Sequence, residues 1–175
     1  MNNEEKQAVA EQAYQKALQY ELDYGCCPQC VLATIQETVG GIDDSTIKAS
    51  HGLSGGGGLL GQGTCGALTG GLMALSAKFG RDRDKLDKGR FINNFKKGKL
   101  LVERFREEFG GVTCEELQQK FTGHTYDMWK AEEYQAFDED GQLVREPRHS
   151  YIPKPFGRYI EKPKPKKWAE LLELV

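Results

Sequence analysis

No stretch of this 175-residue chain comes near the ~18 consecutive apolar residues of a membrane-spanning helix, so no membrane role is expected. The opening Met1-Asn2-Asn3-Glu4-Glu5 is polar and acidic and carries no signal-peptide pattern, which leaves a cytoplasmic protein as the expectation. Basic charge is not in excess either. Against 24 Lys and Arg stand 26 Asp and Glu, and the net charge of −2 argues against a general nucleic-acid binder. Alternating runs of β-branched residues are missing throughout. That absence points to an all-α fold, a compact helical bundle. Histidine is scarce, and none of His51, His124 and His149 has a partner at i+4, so no histidine-based metal motif is expected.

What the chain does have is helical periodicity. Val9, Ala10, Ala13, Tyr14, Ala17, Leu18 and Leu22 predict a helix over 4–24, ended by Gly25. Pro28 suits a first helical turn, and Leu32, Ile35 and Val39 carry a second helix over 28–39. Asp43-Asp44-Ser45 signals a short third helix reaching about Ser50. Residues 81–88 alternate in charge and read as a solvated loop. Phe91, Phe95, Val102, Phe105 and Phe109 predict a helix over 90–109, with Gly98 as its weak point at roughly 1 kcal/mol. Thr113 and Glu116 have capping-box spacing ahead of Leu117 and Phe121. A further helix is expected over 125–137, with Asp138-Glu139-Asp140-Gly141 as a turn.

Glycine is concentrated in one place. Residues 52–71 hold ten of the 21 glycines, centred on Ser54-Gly55-Gly56-Gly57-Gly58, yet a strong helix begins inside this segment. Leu68, Leu72, Leu75 and Phe79 form its apolar stripe, and Gly66, Gly70 and Ala74 line another face that would admit a neighbouring backbone closely. Gly61-Gln62-Gly63-Thr64-Cys65-Gly66 spells G-x-G-x-x-G, but no strand precedes it, so a dinucleotide site is not expected. Free loop N–H groups would suit an anion or a Cys65 thiolate.

Five of the six prolines fall between Pro147 and Pro165, and residues 145–167 hold eight Lys or Arg. We therefore divide the chain into a helical domain over 1–144 and a basic, extended, proline-rich arm over 145–175. The arm lacks a nucleic-acid-binding motif. Trp168, Leu171, Leu172 and Val175 give it a short apolar stripe that must dock on something, and a homodimer in which the arm packs on a second copy is expected.

The five cysteines carry the chemical signal. Their odd number argues against a structural disulfide framework. Cys26-Cys27-Pro28-Gln29-Cys30 contains a C-x-x-C at a helix start, Cys65 begins another helix, and Cys114 begins a third. Unpaired N–H groups and the helix dipole stabilise a thiolate at such positions. Val31 stands where haem attachment requires His, and no βαβ context for a thioredoxin fold is present. His51, at the end of the short helix, lies close in sequence to the glycine loop and is a candidate for tuning the thiols.

Cys65-Gly66-Ala67-Leu68-Thr69-Gly70, with these cysteines around it, resembles the C-G-A-x-x-G motif of a family of redox-active bacterial proteins with four characteristic cysteines. The resemblance covers roughly residues 20–122. It implies that the family's first three cysteines correspond to Cys30, Cys65 and Cys114. No cysteine follows Cys114, so the fourth has no counterpart in sequence, and Cys27 or Cys26 would have to replace it in space.

Three readings follow. In the first, the protein is a thiol redox protein. Cys65 is a low-pKa nucleophile, Cys30 or Cys27 resolves the mixed disulfide or sulfenate, and Cys114 is a third participant or a neighbour. In the second, Cys27, Cys30, Cys65 and Cys114 ligate zinc or an iron–sulfur cluster. In the third, the thiols are incidental to a helical interaction module. The first two require Cys65 Sγ to lie within about 10 Å of Cys27 or Cys30 Sγ, since a disulfide needs close Cα atoms.

Overall fold

The computed structural model describes residues 2–142. Among them it holds seven α-helices and no strand. These are α1 (Asn3–Tyr24), α2 (Cys27–Thr38), α3 (Asp44–Ala49), α4 (Gly66–Phe79), α5 (Ile92–Phe109), α6 (Cys114–Thr122) and α7 (Ala131–Gln142), with short 3-10 turns at His51–Gly56 and Arg83–Lys85. The all-α bundle expected from the pattern is therefore present. The arm over 145–175, its apolar stripe and the 144/145 boundary lie outside the described residues.

Helices α2 and α4 form the central pair, with α1 laid on α2 and α5 laid on α4. The close approach of the central pair has a local cause. A β-carbon on Gly70 would lie 3.0 Å from the Pro28 carbonyl oxygen, and one on Gly66 would lie 2.7 Å from Pro28 Cδ. The small-residue face of α4 thus receives the first turn of α2. Beyond it, the fully buried Leu32 and Ala74 join Ile42 in one core cluster. Leu68 and Leu117 join Cys65 in a second, flanked by Leu101, Val102, Phe105 and Phe109 of α5. Burying each such leucine is worth about 1.5–3 kcal/mol.

Capping decides the ends. Asn2 accepts from the Glu5 N–H while Glu5 reaches back to the Asn2 N–H, closing a capping box on α1. Thr113 and Glu116 do the same for α6, as their spacing predicts. Gly98 does not break α5. Phe95, expected on the buried face, is largely exposed, while Leu101, Val102, Phe105 and Phe109 of the same helix pack on the core.

The last helix begins later than expected and swallows the expected turn at 138–141. The preceding residues are held otherwise. Tyr126 is buried, with its N–H on Gln118 Oε1 at 3.2 Å, and Asp127 receives its own cap from Glu133 at 2.6 Å. The Trp129 indole N–H donates to the Gly58 carbonyl at 2.9 Å and fastens this strap to the glycine loop.

Candidate functional site

The glycine segment is a folded loop. The N–H groups of Gly58, Gly61 and Gly63 donate to the carbonyls of Gly52, Gly55 and Gly56 at 2.8, 2.8 and 2.9 Å. Gly55, Gly56, Gly57, Gly58 and Gly61 all have positive φ, which explains why glycine recurs here. The loop's far end pairs with the entry to α6. Cys65 N–H donates to the Val112 carbonyl at 2.7 Å, Cys114 N–H donates to the Gly63 carbonyl at 3.1 Å, and Thr64 and Thr113 form an isolated antiparallel bridge. Two cysteines 49 positions apart are thereby placed side by side. The N–H groups of Gly57, Gly58, Gly61 and Gly63 are taken by the loop's own carbonyls, while those of Ala67 and Leu68 at the helix start act on the Cys65 thiol.

The third thiol arrives from α2. The contact of Pro28 with Gly66 brings Cys27 against the start of α4, its Cβ 3.1 Å from where a Gly66 β-carbon would sit. The Cys27 thiol consequently feels the charges of both Cys65 and Cys114. Cys30, one turn on, is not part of this trio. Its thiol donates to the Gly25 carbonyl at 2.8 Å and faces Cys26. Cys26 occupies the left-handed region, at φ 67°, and its thiol reaches the backbone carbonyl of His51 at 3.8 Å. The exposed His51 thus meets a cysteine through its main chain.

One ionisable group beside the thiols escaped the sequence reading. Glu21, in the last turn of α1, accepts a hydrogen bond from Cys27 Sγ at 3.4 Å and from the Cys30 thiol. Its charge bears on all five thiols. A signal was available. Ala10, Tyr14, Ala17 and Glu21 follow a 4-3-4 spacing, so the carboxylate sits on the apolar stripe of α1.

The low-pKa expectation for Cys65 is overturned. Cys65 is 2% exposed, and burial pushes its thiol up to about 11, although the amides of Ala67 and Leu68 at the helix start pull the other way. The helix start does favour the Cys65 thiolate, but desolvation is the larger effect. Burial, then Cys65 and Glu21, pushes Cys114 up to about 12. Burial and Glu21 hold Cys27 and Cys30 well above the ordinary thiol range.

All five cysteines are free thiols. The second reading, zinc or an iron–sulfur cluster on Cys27, Cys30, Cys65 and Cys114, does not fit this geometry. Among the described residues no group of three or more His, Cys, Asp or Glu side chains is arranged to hold a metal ion. The Cys30 thiol turns to the Gly25 carbonyl instead, and a closed zinc site takes four donors.

A family model described as "Putative redox-active protein (C_GCAxxG_C_C)" matches residues 25–143. The chain belongs to that family. The description spells its motif Gly-Cys-Ala, whereas this chain reads Cys65-Gly66-Ala67, the first two in the opposite order. No curated protein and no solved structure matches the chain. Among the described residues no helix is long and apolar enough to cross a membrane.

Proposed function

We propose that the protein is a dithiol–disulfide redox protein whose working thiols are Cys27, Cys65 and Cys114. The observation that carries this reading is the backbone pairing that brings the starts of α4 and α6 together, with Cys27 of α2 packed against the start of α4. Membership of a redox-active cysteine family supports it. Two of these thiols surrender two electrons and two protons to a disulfide oxidant, which leaves as two thiols, and an intrachain disulfide remains. Their raised pKa values keep the resting trio protonated at neutral pH. Reaction therefore waits on local opening and on a proton acceptor, in contrast to a surface thiolate. Cys26, the one cysteine that is not buried, marks the side from which an oxidant approaches.

The test is oxidation with excess oxidised glutathione, acid quenching, differential alkylation and peptide mapping. The expected product is a link between Cys27 and Cys65 or Cys114 that dithiothreitol reverses. Five fully alkylatable thiols after oxidation would rule the reading out, as would Cys26–Cys30 as the sole link.

A further inference from the structure

We propose that Glu21 is the proton acceptor of the thiol trio, taking the S–H proton of Cys27 as its sulfur attacks a disulfide and keeping that proton while the protein stays oxidised. The inference rests on the dithiol–disulfide reading above. Its basis is placement. The Glu21 Oε1 atom accepts the Cys27 S–H at 3.4 Å, within reach of a direct proton transfer. Among the described residues no other carboxylate is hydrogen-bonded to a cysteine. Among the described residues, the titratable groups on which Glu21 acts are thiols: Cys26, Cys27 and Cys30 from the start of α2, Cys65 ahead of α4, and Cys114 from α6. Burial pushes the Glu21 carboxyl above its ordinary range, toward that of a proton acceptor, and the S–H groups of Cys27 and Cys30 are what hold it back from rising further.

The chemistry balances as follows. The proton of Cys27 moves to Glu21, and the Cys27 sulfur bonds to one sulfur of an oxidant R–S–S–R. The first R–S⁻ leaves and takes a proton from solvent. Cys65 sulfur then bonds to Cys27 sulfur, and the second R–S⁻ leaves with the proton of Cys65. Two electrons pass from the protein thiols to the oxidant, two R–SH form, and Glu21 ends protonated. Oxidation removes the Cys27 S–H, one of the two donors that favoured its charged form, so the carboxyl binds a proton more tightly in the oxidised protein.

This gives a readout that a merely structural Glu21 would not move. Exchange with oxidised dithiothreitol trades two thiols for two thiols, so its equilibrium constant is independent of pH below the thiol range. If Glu21 gains a proton on oxidation, the constant instead rises as pH falls, by up to tenfold per pH unit between the two carboxyl pKa values. The experiment follows the disulfide content of full-length wild type and Glu21→Gln in dithiothreitol buffers from about pH 5 to about pH 8, below the range in which thiols ionise. The expected result is a sloping wild type, a flat Glu21→Gln, and oxidation at least tenfold slower in the variant at neutral pH. Since misfolding would also slow the variant, infrared difference spectra of the wild type alone give a second reading, in which a protonated-carboxyl band appears on oxidation.

A flat wild-type profile without that band overturns the proposal and leaves the dithiol reading intact. So does a Glu21→Gln variant that oxidises faster, which would make Glu21 an electrostatic brake on the thiols. If the wild type forms no disulfide at all, both readings fall together.

Discussion

The carbonyl oxygen of Gly56 accepts the N–H of Gly63 at 2.9 Å and lies 2.2 Å from where a β-carbon on Gly63 would sit. No side chain fits there without moving the backbone. Gly63 also presents its own carbonyl to Cys114 N–H, so the same residue holds Cys114 beside Cys65. Gly63→Val is therefore expected to cost about 1–3 kcal/mol, the range for forcing extra atoms into a packed site. It should also expose Cys65 to iodoacetamide under native conditions. An unchanged urea midpoint with unchanged alkylation would mean that the loop is not what places the thiols.

The buried thiols predict a loss of stability in alkali. Thiols of an unfolded chain titrate near ~8.5, whereas burial pushes Cys65 up to about 11 and Cys114 up to about 12. The folded state favours the protonated form. Its contribution is complete below the unfolded value and drains away as pH rises toward the folded ones. Each thiol that is ionised only in the unfolded chain lowers the unfolding free energy by about 1.4 kcal/mol per pH unit. Urea unfolding under reducing conditions should show this decline above ~8.5, and Cys114→Ala should decline less steeply by that amount. Parallel slopes would contradict the burial argument.

The sequence made much of the fold legible because its local signals agreed. The Thr113–Glu116 box, the α4 stripe and the small-residue face of Gly66, Gly70 and Ala74 each stand where the pattern put them. The site was half legible. Helix starts located Cys27, Cys65 and Cys114, but the sign of the Cys65 shift depended on burial, which is a property of the assembled core. Cys30 best matched the family pattern, yet one helical turn separates it from Cys27, and the Pro28–Gly66 contact selects Cys27 for the trio. The start of α7 was misplaced because Tyr126 and Trp129 serve contacts distant in sequence, with Gln118 and Gly58.

The cap on α6 supports Cys114 directly, since that residue is the first of the helix. Thr113→Ala should cost about 1 kcal/mol. The Glu116 carboxyl is held below its ordinary range by the N–H groups of Thr113 and Val112. A depressed carboxylate contributes above its unfolded pKa and loses that contribution as pH falls through the folded one. The stability gap between wild type and Glu116→Ala should therefore be open at neutral pH and narrow below ~4.3. A gap that does not change with pH would assign the effect to packing of the Glu116 stem.

Two interior glycines should respond with opposite signs to the same change. Alanine in a helix interior is favoured over glycine by roughly 1 kcal/mol. At Gly98 the new β-carbon meets only Leu72 Cδ2, at 3.2 Å, the far end of a side chain that can turn aside. Gly98→Ala should thus be neutral or stabilise by up to that amount. At Gly70 the β-carbon meets the Pro28 carbonyl oxygen and Val31 Cβ, both at 3.0 Å, and neither belongs to a flexible tip. Overpacking of about 1–3 kcal/mol should outweigh the propensity gain there. The strain falls on the contact that carries Cys27 toward Cys65. Gly70→Ala should therefore lower both the urea midpoint and the yield of the Cys27-containing disulfide after oxidation, while Gly98→Ala leaves that yield unchanged. If both variants shift stability in the same direction, the close approach of α2 to α4 does not set the thiol geometry. If Gly70→Ala loses stability but oxidises normally, the trio does not depend on that approach.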